Sequence, residues 1–337
     1  MRRVAALLAA ALLGAALVGC GGGGAEPGAP KGATLVLDFQ PNAVHSGIYA
    51  AQANGLFRDE GVDLKIQEPS STADSAKLLE TGRADFAVMD INDFGIARER
   101  GLDLVAIAAI VQRPLASVIA RDPAEIRTPA DLAGKTIGVT GVPSDDAVLD
   151  TVLRSGGVDP SDVHRVTIGF NAVAAVAAGK IDAATAFWNA EGVQLQQMGI
   201  PIREFRVDQF GAPRYPELVI ATRGDSSPDQ PQLSCDVRRA LRRAYPDFGA
   251  DPEAALDDLL EEVPGLDHDS QQAQLDALVR GDAFSPQDDG PATPDLSAEP
   301  DGATGRWLAW ATNNDLIDPS QAPNVAAGFL PSLTGCG

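Results

Sequence analysis

The sequence has few of the residues on which metal and nucleophilic chemistry depend. It contains three histidines, His45, His164 and His268, and no two of them stand at the spacing of zinc ligands. The chain also lacks a Gly-x-Ser-x-Gly nucleophile motif and the Gly-x-x-x-x-Gly-Lys sequence that holds nucleotide phosphates. The sequence therefore predicts no metal site, no cofactor and no catalytic residue.

Basic residues and long apolar runs are also scarce. Beyond residue 19 no second long apolar run occurs, which predicts a soluble globular body in a chain that is 45% hydrophobic. Lys and Arg number 26 against 47 Asp and Glu, so the formal net charge is −21, and it becomes −23 if Arg2 and Arg3 are removed with a signal segment. An acidic surface argues against a nucleic-acid partner and against docking on an anionic membrane.

The N-terminus has the pattern of a bacterial lipoprotein signal. Met-Arg-Arg precedes an apolar run to Gly19 that is too short for a stable membrane span, and Cys20 follows directly. Removal of residues 1–19 would leave a lipidated Cys20 as the anchor and residues 20–33, rich in Gly and Pro, as a flexible tether. A plain secretory signal is the alternative.

The other two cysteines, Cys235 and Cys336, form an even pair in a chain expected outside the cytoplasm. In an oxidising compartment, a disulfide that ties the C-terminal tail to a helix is the expected arrangement. Two unpaired buried thiols are the alternative, and the sequence does not decide between them.

Apolar runs and helical patterns alternate along the chain in two successive series, which predicts an α/β protein with two doubly wound lobes. One of these runs, 104–111, is continuous, and we expect a parallel strand covered on both faces. The strands are predicted at 35–37, 62–67, 84–90 and 104–111 in the first series, and at 136–140, 166–169 and 181–188 in the second.

Two further strands connect the series. Ser117–Ala120 leads into the second series and Leu218–Thr222 leads the chain back out of it, so we expect two hinge crossovers. This places lobe 1 at 34–117 and 218–337, and lobe 2 at 118–217.

One short stretch, Asp38–Ala51, concentrates groups that recognise flat rings. It follows the first predicted strand, and in a doubly wound sheet the side chains at the carboxyl end of a strand face the ligand crevice. Taken singly, its two aromatic residues fit a core equally well, and its histidine fits a helix start. The stretch supplies five candidate ligand-binding residues: Asp38, Phe39, Asn42, His45 and Tyr49.

Polar and aromatic residues also follow the later strands. The hydroxyl groups among them stand where helices begin, so helix capping is their alternative role, and Ser144 is interpreted first as an N-cap. A pocket that is aromatic and rich in carboxylates suits a neutral or cationic amino-heterocycle, with rings for stacking and acids for the edge donors. The candidates from this part of the chain are Ser70, Ser71, Thr72, Asp90, Ser144, Trp188, Asn189 and Glu191.

Four segments carry a resemblance to a known family. They are DFQPNAVHSGIYAA at 38–51, EPSSTADSAKLLETGRADFAV at 68–88, GKTIGVTGVPSDDAVLDTVL at 134–153 and FWNAEGVQL at 187–195. Together they resemble the substrate-binding lipoproteins of ABC transporters for thiamine pyrimidine precursors. That family shares its fold with the fungal thiamine-pyrimidine synthases and, more distantly, with alkanesulfonate receptors.

The resemblance covers about residues 34–222 and implies a type II periplasmic-binding-protein fold. It implies a monomeric receptor that closes its lobes around a formylaminopyrimidine-like ligand and delivers it to an ABC permease and ATPase. The family's aromatic-Pro-Asn-His motif falls on Phe39, Pro41, Asn42 and His45, and its strand-end acid falls on Glu191. Relatives often carry Trp where this chain has Phe39, which implies weaker stacking.

Three other functions are alternatives: binding of riboflavin, binding of a sulfonate, and synthase activity. Riboflavin is also a flat ring system with many edge groups, whereas a sulfonate would need cationic groups that the predicted crevice does not offer. The synthases of similar fold consume an active-site histidine with pyridoxal phosphate, and they need a Schiff-base lysine and a Cys-rich motif. Here the candidates would be His45 with Lys65, Lys77, Lys135 or Lys180, and no Cys cluster exists.

Overall fold

The computed structural model describes residues 29–70, 74–122, 124–224, 230–284 and 302–329. The strands are β1 Lys31–Val36, β2 Val62–Gln67, β3 Phe86–Asp90, β4 Leu104–Ala109, β5 Ala116–Arg121, β6 Thr136–Val139, β7 His164–Thr167, β8 Ala183–Phe187, β9 Ile202–Arg206 and β10 Leu218–Arg223. The helices are α1 Ser46–Ala53, α2 Leu56–Asp59, α3 Asp74–Glu80, α4 Ile91–Glu99, α5 Pro143–Ser155, α6 Ala172–Ala177, α7 Val193–Gln197, α8 Gln230–Ala250, α9 Pro252–Glu262, α10 His268–Arg280, α11 Ala303–Asn313 and α12 Ala322–Ala326.

Two sheets of the same topology form the centres of two α/β lobes, as predicted. The first sheet has the order β2-β1-β3-β10-β4 and the second the order β7-β6-β8-β5-β9. In each sheet three neighbouring strands are parallel, and a strand that arrives from the other lobe runs antiparallel beside them. The first lobe also contains the C-terminal helices, because α8 and α9 pack on α1, and α12 packs on α4.

The run 104–111 is buried on both faces as predicted and runs in the same direction as β3, but it does not pair with a parallel strand. β4 forms its ladder with β10, which runs antiparallel to it and lies between β3 and β4. An apolar run indicates that a strand is buried on both faces, but it does not indicate which strand pairs with it. The partner is set by the return crossover, which brings β10 back into the middle of the first sheet.

Both sheets are covered on both faces, and strand alternation explains how. In β1, Leu35 contributes to one apolar cluster and Val36 to the cluster on the opposite face. In β5, Val118 and Ile119 divide between two clusters of the second lobe in the same way. Successive side chains of a strand point to opposite faces, so these apolar strands require helices on both sides.

Two crossovers join the lobes, between β4 and β5 and between β9 and β10. They are bonded to each other: the Glu217 N–H donates to the Val111 carbonyl (3.0 Å), and the Ile110 N–H donates to the Leu218 carbonyl (2.9 Å). The predicted boundary at 117/118 falls inside β5, and that at 217/218 falls at the start of β10. The two crossovers therefore form one hydrogen-bonded hinge region.

Several N-terminal and C-terminal predictions fall on parts of the chain that the structure does not describe. The signal segment, Cys20 and Cys336 lie outside the described residues. Cys235, on α8, is disulfide-bonded, and its pairing with Cys336 stays a prediction. Within the described ranges, no helix has both the length and the apolar character that crossing a bilayer requires.

Candidate ligand-binding site

A cavity of about 120 Å³ lies between the two lobes, where the carboxyl ends of the parallel strands face each other. The first lobe contributes side chains that follow β1 and β3, and the second contributes those that follow β6, β7 and β8. The antiparallel strand β5 begins at the same edge and adds Ala116 and Ser117. The topology of two facing sheets thus puts loops from both lobes around one space.

The loop after β1 is held rigidly although it has no regular strand or long helix. Asn42 caps the short 3₁₀ turn Ala43–His45, because its Oδ1 accepts from the Val44 N–H (3.1 Å). The Ala43 N–H donates to Gln271 Oε1 of α10 (2.8 Å). These bonds fix Asp38, at the start of the loop, on the cavity wall.

His45 is fully buried behind this wall and orients Asp38. Its Nδ1 accepts from the Asn42 N–H (3.3 Å), so the ring proton lies on Nε2, and Nε2 donates to Asp38 Oδ1 (2.9 Å). This hydrogen-bond pattern describes a neutral imidazole. His45 therefore positions the carboxylate without supplying a compensating charge.

Three phenylalanines supply the aromatic part of the cavity lining: Phe39 of the first lobe, and Phe170 and Phe187 of the second. The rings of Phe39 and Phe170 meet edge to face across the cleft, with centroids 4.9 Å apart and an interplanar angle of 80°. Gly169, with φ of 55°, makes the left-handed turn after β7 that presents Phe170. The aromatic side chains suit a flat ring held between the lobes.

Five carboxylates line the same cavity: Asp38, Asp90, Asp93, Asp145 and Glu191. Among the described residues that line it there is no Lys, Arg or His side chain. Burial first, and the neighbouring acids after it, raise the pKa of Asp90 to about 6 and that of Asp93 to about 8. Burial likewise raises the pKa of Asp145 and of Glu191. The site is therefore acidic, and no cationic side chain among the described lining residues offsets its carboxyl groups.

Glu217 connects one of these acids to the hinge. It is completely buried, its Oε2 accepts from the Leu115 N–H in the other crossover (2.8 Å), and it lies beside Asp90. Burial and the neighbouring Asp90 carboxylate hold the pKa of Glu217 well above its usual range. A protonated Glu217 and an ionised Asp90 are the arrangement that this environment favours, because two adjacent buried carboxylates repel each other.

Seven of the predicted site residues line the cavity, and an eighth supports it. His45 is the supporting residue, through Asp38. The lining residues are Asp38, Phe39, Asn42, Asp90, Ser144, Asn189 and Glu191.

The structure does not bring Trp188 to the cavity. Its neighbours Phe187 and Asn189 line the space, whereas the indole points to the opposite side and is 1% exposed. There its Nε1 donates to the Pro114 carbonyl (3.0 Å), and the Arg206 guanidinium lies 4.0 Å from the ring centroid. Trp188 is a packing residue at the junction of the second lobe with the hinge and α10.

The structure does not place Tyr49 or Ser70 at the cavity either. Tyr49 packs in the core of the first lobe and borders a separate surface depression with Glu68 and Glu262, and its burial together with these acids raises its pKa to about 12. Ser70 follows β2 and is not among the described lining residues. Ser71 and Thr72 lie outside the described residues.

Ser144 lines the cavity, but its interpretation as an N-cap was wrong. Helix α5 begins one residue earlier, at Pro143, and Val142 occupies the cap position. Proline at the first helical position needs no N–H acceptor, so the serine hydroxyl is available for another partner. It donates to Asp93 Oδ1 (3.0 Å), which makes a hydrogen bond between the two lobes.

Sequence reasoning missed Phe170, Phe187, Asp93 and Asp145 as lining residues. Phe170 follows the carboxyl end of β7 and is 44% exposed. An aromatic residue directly after a strand end is the pattern from which its place in the cavity could have been predicted. Asp93 and Asp145 stand in the first turns of α4 and α5, where acids are common for helix stability alone. Nothing in their spacing separates that role from a place in the site.

Two buried polar atoms at the cavity, Thr140 Oγ1 and Asn189 Oδ1, make no hydrogen bond within the described part of the chain. Asn189 is 1% exposed and lines the cavity, and its Oδ1 accepts no hydrogen bond from the described part of the chain. A buried acceptor without a donor is costly unless a ligand or water supplies one. Within the described residues, no group of three or more His, Cys, Asp or Glu side chains is arranged to hold a metal ion.

Comparisons with known proteins agree with this architecture. Residues 42–255 match the family model described as NMT1/THI5 like. The chain is 32% identical over 227 residues to the formylaminopyrimidine-binding protein of Halalkalibacterium halodurans, covering 67% of this chain and 69% of that protein. It is 26% identical over 243 residues to a 4-amino-5-hydroxymethyl-2-methylpyrimidine phosphate synthase of Legionella pneumophila, covering 69% of this chain and 74% of that one.

A solved structure shows the same fold. The alkanesulfonate-binding protein SsuA from Xanthomonas axonopodis pv. citri, bound to MOPS, superposes with a TM-score of 0.68 at 19% identity, over 89% of this chain and 98% of that one. The predicted type II periplasmic-binding-protein fold is confirmed. At this level of identity the likeness concerns the fold alone.

Proposed function

Since the chain belongs to the NMT1/THI5-like family, as its sequence resemblance predicted, we propose that it is the solute-binding receptor of an ABC importer for a thiamine pyrimidine precursor. The observation that carries this proposal is the interlobe cavity with three phenylalanines, five carboxylates and no cationic side chain among its described lining residues. Aromatic rings bind the faces of a heterocycle, and carboxylates accept from its amino groups.

The size of the cavity favours one ring over several. A water-sized group needs roughly 10–15 Å³ of such volume, so 120 Å³ accommodates about ten non-hydrogen atoms. A substituted aminopyrimidine has about that number, whereas the three fused rings and sugar-like chain of riboflavin have more than twice as many. Riboflavin is therefore the weaker candidate.

The charge of the cavity argues against the anions that other proteins of this fold bind. A sulfonate would face Asp38, Asp90, Asp93, Asp145 and Glu191 without a cation among the described lining residues. Each like-charge contact in a partly buried site is unfavourable. The chain shares its fold with a sulfonate-binding protein, but its cavity is lined by acidic side chains, whereas an anion needs cationic ones.

The mechanism we propose is closure of two lobes around the ring. In this conformation the Phe39–Phe170 ring contact and the Ser144–Asp93 hydrogen bond both cross the cleft. A ligand that fills the space between them adds contacts to both lobes at once, so it binds the closed form more tightly than the open form. The permease and ATPase would then receive the closed, loaded receptor.

Similarity to the Legionella synthase raises an enzymatic alternative. A pyridoxal phosphate enzyme needs a lysine for its Schiff base, and none of Lys65, Lys77, Lys135 and Lys180 is among the described residues that line the cavity. Incubation with pyridoxal phosphate and iron should leave the mass of the intact protein unchanged. Loss of an imidazole fragment from His45 in that experiment would establish the enzymatic function instead.

Isothermal titration calorimetry tests the receptor. The proposal expects saturable binding of formylaminopyrimidine or 4-amino-5-hydroxymethyl-2-methylpyrimidine, and none of an alkanesulfonate. Glu191→Gln should weaken binding at least tenfold, because a neutral amide replaces the carboxyl group that accepts from the ring's amino group. Glu204→Gln is the matched control, since Glu204 lies on β9 outside the cavity, where it pairs with Arg206. Absence of binding by every pyrimidine would refute the proposal.

We further propose that Cys20 carries a lipid that anchors the receptor on the outer face of the cell membrane. Supporting this is the lipoprotein-type signal pattern that precedes Cys20. Labelled palmitate should enter the wild-type protein and not the Cys20→Ala variant. Equal labelling of the two, or none of either, would contradict the anchor.

A further inference from the structure

The cavity presents far more hydrogen-bond acceptors than donors. Four of its hydroxyl groups already donate to protein oxygens: Ser75 to the Leu37 carbonyl (3.1 Å), Ser117 to the Ala186 carbonyl (2.8 Å), Ser144 to Asp93 (3.0 Å) and Thr185 to the Gly138 carbonyl (3.4 Å). The Thr140 hydroxyl is buried and makes no hydrogen bond within the described residues, so it is one donor that a ligand can still use. The amide of Asn42 donates to the Gln40 carbonyl (2.9 Å). Few protein donors are left for a ligand.

The acceptors, by contrast, are fixed in place. Asp38 is held by His45, Asp90 by the Asn92 N–H (2.6 Å), Asp93 by Ser144, Asp145 by the Thr140 N–H (2.5 Å) and Glu191 by the Phe187 N–H (3.0 Å). An ionised carboxylate has about four acceptor sites, and a protonated one keeps acceptor capacity beside its single O–H donor, so each of these acids can accept further hydrogen bonds. Asn189 Oδ1, buried and without a donor in the described chain, adds another acceptor on the wall of the cavity.

The electrostatics point in the same direction. Asp93 on α4 faces Asp90 at the end of β3, Asp145 and Ser144 on α5, and Arg100 at the end of α4. The acids outnumber this single cation, which lies outside the described cavity lining. Protons relieve part of this repulsion, since burial and the neighbouring acids raise the pKa of Asp93 to about 8. A ligand cation would relieve the same repulsion by taking the place of those protons.

We infer that the cavity selects an aminopyrimidine that carries an ammonium group over neutral forms of the same ring. This inference rests on the proposed receptor function and narrows its ligand class. A methylammonium substituent brings three N–H donors and a positive charge, which match five carboxylates and the Asn189 acceptor. An N-formyl substituent brings one N–H donor and a carbonyl oxygen, and that oxygen would need a donor that the described lining residues mostly direct elsewhere.

Calorimetry with three probes tests this preference: 4-amino-5-aminomethyl-2-methylpyrimidine, its N-formyl derivative, and the 5-hydroxymethyl counterpart. At pH 7 the amine is protonated, as alkylamines are, and the other two substituents are neutral. We expect the amine to bind at least tenfold more tightly than the N-formyl compound. Titrations in buffers of different ionisation enthalpy should show net proton release on amine binding, because the ligand cation displaces protons from the acids.

The outcomes separate the two proposals. A preference for the amine of less than tenfold, or tighter binding of the N-formyl compound, overturns this inference and leaves the receptor function standing. Failure of all three probes to bind overturns the receptor function itself.

Two adjacent residues provide a matched pair of variants. Asp145→Asn removes a charge from the cavity, and its amide oxygen can still accept from the Thr140 N–H, so the ratio of amine to N-formyl affinity should fall by at least threefold. Asp146→Asn removes a charge from the next position, where the side chain is 54% exposed and pairs with Arg165, so the ratio should not change. Asp93→Asn makes the same test if Asp145→Asn fails to fold. An unchanged ratio in a folded cavity variant would overturn the inference.

Discussion

The acid cluster should make the ligand-free protein less stable as the pH rises, and Asp93→Asn should remove much of that effect. The pKa of Asp93 is about 8 in the folded chain against 3.8 for an ordinary aspartate. Because the folded-state value is the higher one, the stability that this group contributes is complete below about pH 4 and is lost as the pH rises toward 8.

The size of the effect follows from linkage. Between pH 5 and pH 7 Asp93 holds a proton in the folded chain that it has released in the unfolded chain. The free energy of unfolding therefore falls by about 1.4 kcal/mol for each pH unit. Two units give about 3 kcal/mol, or a shift in Tm of roughly 6 °C for a protein of this size.

Differential scanning fluorimetry at pH 5 and pH 7, without ligand, measures this. The Tm of Asp93→Asn relative to wild type should rise by several degrees between the two pH values. Asp269→Asn is the control, because the Asp269 side chain on α10 is 98% exposed and distant from the cavity acids. If the Tm difference between Asp93→Asn and wild type is the same at both pH values, Asp93 is not the perturbed group that the structure indicates.

Three further variants separate binding from stability. Phe170→Ala should weaken pyrimidine binding by about threefold to tenfold, the value of one aromatic contact, with a small change in Tm because the ring is 44% exposed; calorimetry with unchanged affinity would contradict this. Trp188→Ala should do the reverse, lowering the free energy of unfolding by about 3–5 kcal/mol while leaving the affinity within about threefold, as urea unfolding and calorimetry can show. Glu217→Ala should lower the free energy of unfolding by about 1–3 kcal/mol, because the Leu115 N–H loses its acceptor. Glu217→Gln keeps that acceptor, so its free energy of unfolding should lie within about 1 kcal/mol of the wild-type value. Equal urea midpoints for both variants would refute this role of Glu217.

The part of the site that could be predicted from sequence is the part with a local cause. Asp38, Phe39 and Asn42 directly follow a strand, and in a parallel sheet the residues after a strand end face the crevice whatever the rest of the chain does. The same rule identifies Asp90, the last residue of β3. Each of these predictions needed only the position of a strand end.

The rest depends on how a helical turn is oriented and on which loops meet across the cleft. Trp188, Asn189 and Glu191 lie in one π-helical turn, Trp188–Gly192, where successive side chains point in different directions, so the sequence does not show which of them faces inward. Phe170 and Asp145 belong to the second lobe and meet residues of the first only across the cleft. The periodicity of the sequence does not show which loops of the two lobes lie opposite each other.

The sign of the ligand charge is also decided by side chains rather than by the fold. Both this chain and the sulfonate-binding structure place loops from two facing sheets around one cleft. The backbone of such a cleft offers N–H groups at helix N-termini, which attract anions. Here acids in the first turns of α4 and α5, Asp93 and Asp145, occupy that position and line the cavity themselves. They place acidic side chains where an anion would otherwise bind, and the ligand that we propose, a hydrogen-bond donor, is the kind that such helix ends accommodate.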